Sequence, residues 1–293
     1  MDTIESLRKK MKGAQDLQTI VKTMKALAAV NIRQYEKAVI SVSEYYRTIE
    51  MGMRVALQKG PRRVGRKKAA RTGNLNAVVF GSDQGMCGPL NDQIVSHALK
   101  TMDAEGISKE RRTIIAVGAR AAVRLEDSGQ EIADYFQVPS SASGIPSQVQ
   151  EMFIRLEKWT DRQEIDKLVL FYCRPVSGAS YRPHTLNLLP LDEEKLRSIE
   201  NREWPSKVLP TFSMDWDKLF SALIREYLFI SLCRAFAESS ASENAGRLSS
   251  MQGAEKSIEE RLNDLTGRYY QQRQESITEE LLDIISGFEA LKD

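Results

Sequence analysis

All nine prolines of the chain lie between Pro61 and Pro210. Proline lacks an amide donor and clashes with the preceding helical turn, so helices rarely run through it. Residues 1–60 and 211–293 contain none, and each stretch is free to form one unbroken helix. Two very long helices at opposite ends of one chain, around a compact middle, favour a mechanical or scaffolding part over a self-contained enzyme.

The apolar spacing supports this reading. Ile32, Tyr35, Val39, Val42, Tyr46, Ile49 and Met53 alternate in steps of three and four, the seam of a coiled coil. Ile4, Leu7, Met11, Leu17, Val21, Met24 and Ala28 continue it less strictly toward the start. At 1.5 Å per residue this helix spans roughly 85 Å and has no core of its own. Near the other end, Leu248, Met251, Ala254, Ile258, Leu262, Leu265 and Tyr269 form a matching stripe. Ile277, Leu281, Ile284, Phe288 and Leu291 extend it, along a helix of roughly 110 Å. With a domain between them, antiparallel pairing is the natural arrangement. Two separate amphipathic helices lying on different partners are the alternative.

The middle has another rhythm. Short apolar runs at 75–80, 113–117, 132–138, 167–173 and 184–189 read as strands, with helical sequence at 91–102, 119–127 and from 146 through Trp159. Alternating strand and helix predicts an α/β domain with a largely parallel sheet, Rossmann-like in architecture. The expected organisation is a coiled-coil helix over 1–58, a basic linker over 59–72, the α/β domain over 73–195, a connector over 196–212 and a second coiled-coil helix over 213–293.

Composition narrows the chemistry. A formal net charge of +2 makes no global case for nucleic acid. Cys87, Cys173 and Cys233 are odd in number and widely spaced, which predicts reduced thiols in an intracellular setting. Two histidines, His97 and His184, argue against a histidine-rich metal site. No apolar run reaches the length of a membrane span, and no apolar leader core follows Met1. The segment 59–71 carries seven basic residues in thirteen with no aromatics between them. A solvated linker explains it, as does a contact with acidic loops or lipid headgroups; single-stranded nucleic acid, which wants stacking platforms, does not.

Gly81-Ser-Asp-Gln-Gly-Met-Cys-Gly-Pro-Leu-Asn91 follows a strand and opens a helix, where phosphate loops sit. It has neither the Gly-Lys-Ser/Thr of a Walker loop nor the GxGxxG spacing, and Pro89 suits a helix start without any ligand. A structural turn is the better reading. Ser82, Asp83 and His97 lack the nucleophile elbow of a hydrolase. The residues predict no active site, no cofactor and no metal centre.

Three ordered blocks resemble the gamma subunit of F-type ATP synthases. They are Leu7-Arg-Lys-Lys-Met-Lys with Leu17-Gln-Thr-Ile-Val-Lys-Thr-Met-Lys-Ala-Leu-Ala-Ala29, then Ser82 to Asn91, then Glu243-Asn-Ala-Gly-Arg-Leu-Ser-Ser-Met251 with Arg273-Gln-Glu-Ser-Ile-Thr-Glu-Glu-Leu-Leu-Asp-Ile-Ile-Ser-Gly287. Thr185 to Leu191 matches the family's last central strand. Asn31-Ile32, Pro89 and the arginine-rich linker depart from the usual pattern and resemble an alternate, N-type bacterial ATPase. The coupled ion, proton or sodium, stays open.

The resemblance implies a non-catalytic rotor shaft formed by a long antiparallel coiled coil of the N- and C-terminal helices, with the central α/β domain as its foot. Its implied partners are the alpha and beta subunits, the epsilon subunit and the membrane rotor ring, at the cytoplasmic face of the bacterial plasma membrane. It implies beta-subunit contacts at Met24, Arg273, Gln274 and Thr278. It implies seating of Ile277, Leu281, Ile284, Ile285 and Phe288 in an apolar sleeve of the head. Arg62, Arg63, Arg66, Lys67 and Lys68 are the expected contacts with the rotor ring or membrane surface. A coiled-coil adaptor with an α/β recognition domain, or a small α/β enzyme with helical arms, are the competing readings.

Overall fold

The computed structural model describes residues 3–60, 74–160, 167–176, 180–191, 193–201, 204, 207–208 and 210–289. Its two longest elements are α1 (Ile4–Lys59) and α6 (Trp216–Glu289). Between them lie β1 (Leu75–Phe80), α2 (Leu90–Ala104), β2 (Arg112–Val117), α3 (Ala119–Asp127) and β3 (Ile132–Phe136). Then follow α4 (Ile145–Thr160), β4 (Lys167–Pro175), β5 (Tyr181–Leu189) and α5 (Glu193–Glu200). Both long helices start on side-chain caps: Thr3 Oγ1 accepts from the Ser6 amide at 3.2 Å, and Asp215 Oδ1 from the Lys218 amide at 3.2 Å. The chain divides into two compact units, one of residues 28–247 and one of residues 1–27 with 248–293.

In the larger unit the sheet has the order β3-β2-β1-β4-β5. β1, β2, β3 and β4 are mutually parallel, and β5 runs antiparallel to β4. Successive strand residues point to opposite faces, so the sheet feeds two cores. Leu75, Ala77 and Val79 face α2 and α3 with Ile114, Ala116, Val169 and Phe171, against Ile94, Ala98, Met102, Ala121 and Leu125. Val78 and Phe80 face the other way with Ile115, Val117, Leu170 and Tyr172, against α4 and the facing stretches of α1 and α6. There Tyr35, Ile49 and Met53 of α1 meet Tyr227, Ile230, Cys233 and Phe236 of α6. The apolar seam predicted for this part of α1 is thus core of an α/β unit as well as a helix-pairing stripe. Tyr46 and Tyr227 hydroxyls lie 3.2 Å apart, and Tyr45 donates to Glu226 at 2.8 Å.

In the smaller unit α1 and α6 pair antiparallel. Arg8 donates to the Tyr269 hydroxyl at 2.9 and 3.2 Å, and further along Lys25 pairs with Glu255. Leu7, Met251 and Leu265 are buried, with Leu248, Ala254, Ile258, Leu262 and Tyr269 partly so. One seam position differs from expectation. Leu17 is 57% exposed, while Ala14 and Gln18 turn partly inward. Steps of three and four from Met11 lead through Ala14 and Gln18 to Val21, and apolarity alone had selected the wrong neighbour. A second difference follows from length. Arg8 already faces Tyr269, so the later turns of α6 run past the first turns of α1. Ile277, Leu281 and Ile284 do not pack on α1; they are 47%, 54% and 68% exposed.

Candidate functional site

Two places concentrate the residues singled out by sequence: the last turns of α6 in the smaller unit, and the β1–α2 loop in the larger. On α6, Arg273, Gln274 and Thr278 are exposed, and the Thr278 hydroxyl donates back to the Gln274 carbonyl at 2.9 Å. The exposed polar face continues through Gln271 and Glu275, joined at 3.1 Å. Tyr269, one turn before Arg273, has its phenol pulled below the usual tyrosine range, chiefly by the Arg8 hydrogen bond, with the Arg273 charge adding to it. Met24 is half-buried on α1, one residue from the Lys25–Glu255 pair. Glu255 and Arg273 are separated along α6 by roughly 25 Å, so Met24 and Arg273 are not one cluster. They mark two stations on one antiparallel pair.

Beside the polar residues, Leu281, Leu282, Ile284 and Ile285 are all more than half exposed. Large aliphatic side chains bared over consecutive turns are the pattern expected of an interaction surface. Among the described residues, the furrow at Gln271, Gln274, Glu275, Thr278 and Glu279 is lined by one helix alone. The Phe288 side chain and Arg62, Arg63, Arg66, Lys67 and Lys68 lie outside the described residues.

The β1–α2 loop is tied up by the chain itself. The Ser82 amide donates to Asn91 Oδ1 at 3.0 Å, and Asn91 Nδ2 returns a bond to Ser82 Oγ at 2.8 Å. Asp83 caps two neighbouring segments: Oδ1 accepts from the Ala119 amide at 2.9 Å and the Tyr135 hydroxyl at 2.8 Å, and Oδ2 from the Val138 amide at 2.7 Å. Burial, then the Asp83 bond, pushes the Tyr135 phenol up to about 12. His97 is elsewhere, bonded through Nε2 to Thr185 Oγ1 at 2.8 Å, so Ser82, Asp83 and His97 form no triad. Cys87 is buried and its thiol is pushed up by desolvation, the opposite of an activated nucleophile.

The crevice beyond the carboxyl ends of β1 and β4, where open α/β sheets place ligands, is taken by α6. A Cβ on Gly246 would sit 2.5 Å from the Cys87 carbonyl oxygen. Ser242 Oγ donates to the Cys173 carbonyl at 2.9 Å. Glu243 and Arg247 pair at 2.5 Å and are both buried, and burial holds the Glu243 carboxyl above its usual range despite the guanidinium. All residues from Ala235 to Arg247 are buried. A helix buried all round needs small side chains, and Ala237, Ser239, Ser240, Ala241, Ser242, Ala245 and Gly246 supply them. That run was the sequence signal for this contact, missed because stripe-counting looks for large apolar residues. Among the described residues, no group of three or more His, Cys, Asp or Glu side chains is placed to hold a metal.

The chain matches the family described as ATP synthase over residues 3–291. It is 27% identical to the ATP synthase gamma chain of Nostoc punctiforme, covering 99% of this chain and all of the relative. With the gamma chain of Cyanothece sp. it shares 28% identity over the full length of both. A chain in the cryo-EM structure of the Euglena gracilis mitochondrial ATP synthase (OSCP/F1/c-ring) superposes with a TM-score of 0.65 at 17% identity. That superposition covers 98% of this chain and 94% of the other, and it establishes the fold.

Proposed function

The chain belongs to the ATP synthase family, among its gamma chains, and from that premise we propose that it is the central rotor of a membrane ATP synthase. The observation that carries the reading is the match over residues 3–291, which takes in both long helices and the sheet unit together. In this reading the chain is non-catalytic. Its paired helices stand inside a head of alpha and beta subunits that hold the nucleotide sites. Its sheet unit sits beside the epsilon subunit on the membrane rotor ring, peripheral to the cytoplasmic face of the membrane.

Ion-driven rotation presents different faces of the helix pair to each beta subunit. A conformational drive of this kind needs contacts whose strength differs between states of the site. The exposed Arg273 supplies a forked donor for beta-subunit carboxylates, with Gln274, Thr278 and, at the second station, Met24 beside it. The bared Ile277, Leu281, Ile284 and Ile285 fit an apolar sleeve in the head, with Phe288 as the further member. The basic residues Arg62, Arg63, Arg66, Lys67 and Lys68 are assigned to the ring or the membrane surface on their charge alone. No described helix is long and apolar enough to cross a membrane, in keeping with a peripheral subunit.

Mixing the purified chain with alpha and beta subunits tests the reading. A stable complex with ATPase activity that this chain lacks alone is the expected result. Failure to co-assemble would overturn it, and turnover by the isolated chain would favour an enzyme instead.

A further inference from the structure

Arg247 is buried, yet nothing in the proposed rotor surfaces uses it. Its Nη2 donates to Glu243 Oε1 at 2.5 Å and lies 3.5 Å from the Gln84 carbonyl of the β1–α2 loop. Its Nη1 is 3.4 Å from Asn244 Oδ1, which also accepts from Asn31 Nδ2 of α1 at 3.3 Å. One guanidinium therefore touches α6, the loop at the sheet's carboxyl edge, and, through Asn244, α1. One residue earlier, Gly246 brings the α6 backbone against the Cys87 carbonyl, and Tyr181 closes the far side with its ring 3.0 Å from the same Cβ position. Arg247 is also the last α6 residue of the larger unit.

A buried ion pair is a poor source of stability, because desolvation consumes most of its attraction. Its best-attested use is to fix register: a planar fork held by partners on several elements has one acceptable orientation, where an apolar side chain has many. We infer that Glu243 and Arg247 are positioning residues that lock the rotational register of α6 in the crevice between β1 and β4, so that torque on the sheet domain turns the helix without slack. The inference rests on the rotor reading above.

The test uses the chain assembled with alpha and beta subunits, comparing wild type with the double substitution Glu243→Gln, Arg247→Met and with Arg247→Lys. The double substitution removes both charges and the guanidinium fork; Met is the shorter side chain, so the melting temperature is recorded as well. Two readouts are taken. Amide exchange over residues 83–88 is expected to speed up about tenfold when the charged tie is lost. Angular variance of a bead held at Val123→Cys, on the exposed side of α3, with the head immobilised, is expected to rise at least about twofold. Arg247→Lys, with one nitrogen in place of a fork, is expected to fall between.

Exchange and variance equal to wild type in both variants would overturn the inference. So would a lowered melting temperature with unchanged variance, since that is the mark of packing alone. A complex carrying Val123→Cys alone whose bead does not rotate on ATP addition would refute the rotor reading instead, and the exchange result would then decide the lock by itself.

Discussion

Gly118→Ala is expected to loosen the sheet unit by a large share of its stability. Gly118 ends β2 with φ 95° and ψ 128°, a region open in practice to glycine alone. Holding alanine there costs about 1–3 kcal/mol. Its Cβ would also stand 2.7–2.8 Å from the backbone N, C and O of Ser82, where the neighbour is main chain and cannot swing aside. Overpacking of that kind costs about 1–3 kcal/mol more. The reduced freedom of the unfolded chain returns about 0.4–1 kcal/mol. The net expectation is a loss of about 1–5.5 kcal/mol, against total stabilities of about 5–15 kcal/mol for a domain. The damage is local in origin, because the crowded Ser82 precedes Asp83, whose carboxylate caps Ala119 and Val138. Urea unfolding followed by tryptophan emission should show a midpoint lowered by about 1 M or more, with faster exchange at those two amides. Gly253→Ala is the control: nothing lies within 4 Å of its Cβ position, and the helix should gain up to about 1 kcal/mol. A Gly118→Ala chain within about 0.5 kcal/mol of wild type would refute the reasoning.

Three further predictions follow from separate features. Arg273→Ala, at an exposed position, should change stability by no more than about 0.5 kcal/mol while lowering the coupled synthesis rate of the assembled complex; an unchanged rate would count against Arg273 as a drive contact. A double-mutant cycle on Lys25 and Glu255, with side chains 34% and 22% exposed, should return a coupling of about 0.5–1 kcal/mol that shrinks in high salt; zero coupling at low salt would remove the pair from the account. Burial pushes the Cys173 and Cys233 thiols up to about 12. Groups raised in the folded state stabilise fully below their unfolded value near 8.5 and lose that contribution as pH climbs toward the folded value. Stability should therefore fall by about 2 kcal/mol or more between pH 8 and pH 10, and a flat profile in denaturant titrations would contradict this.

Much of the architecture was legible because the punctuation is strong. Proline confinement pointed to α1 and α6 as the two long helices, and the run Thr113 to Val117 followed by Gly118 pointed to β2 and α3. Strands facing helices on both sides read as unbroken apolar runs, which is why β1, buried at all six positions, was plain. β5 was read short because Tyr181, Arg182 and Pro183 carry no apolar run; it is an edge strand, where proline is tolerated. Leu17 misled because a large apolar residue beside a seam looks like part of it. The loop partner of Arg247 was invisible in sequence: Gln84 is 163 positions away, and only the folded sheet brings it near. The stations at Met24 and Arg273 came from family resemblance, and nothing in local periodicity distinguishes them from other helix positions.

The central claim is that this chain must turn inside a head of beta subunits for the complex to work. The most direct measurement introduces Arg273→Cys, with a cysteine in the facing beta-subunit loop, and follows ATP hydrolysis before oxidation, after it and after reduction. The three native cysteines are buried, so the new thiol is the reactive one. Hydrolysis that stops when the two subunits are linked and returns on reduction is the predicted result. Turnover that continues at the full rate while the link is intact would contradict the account.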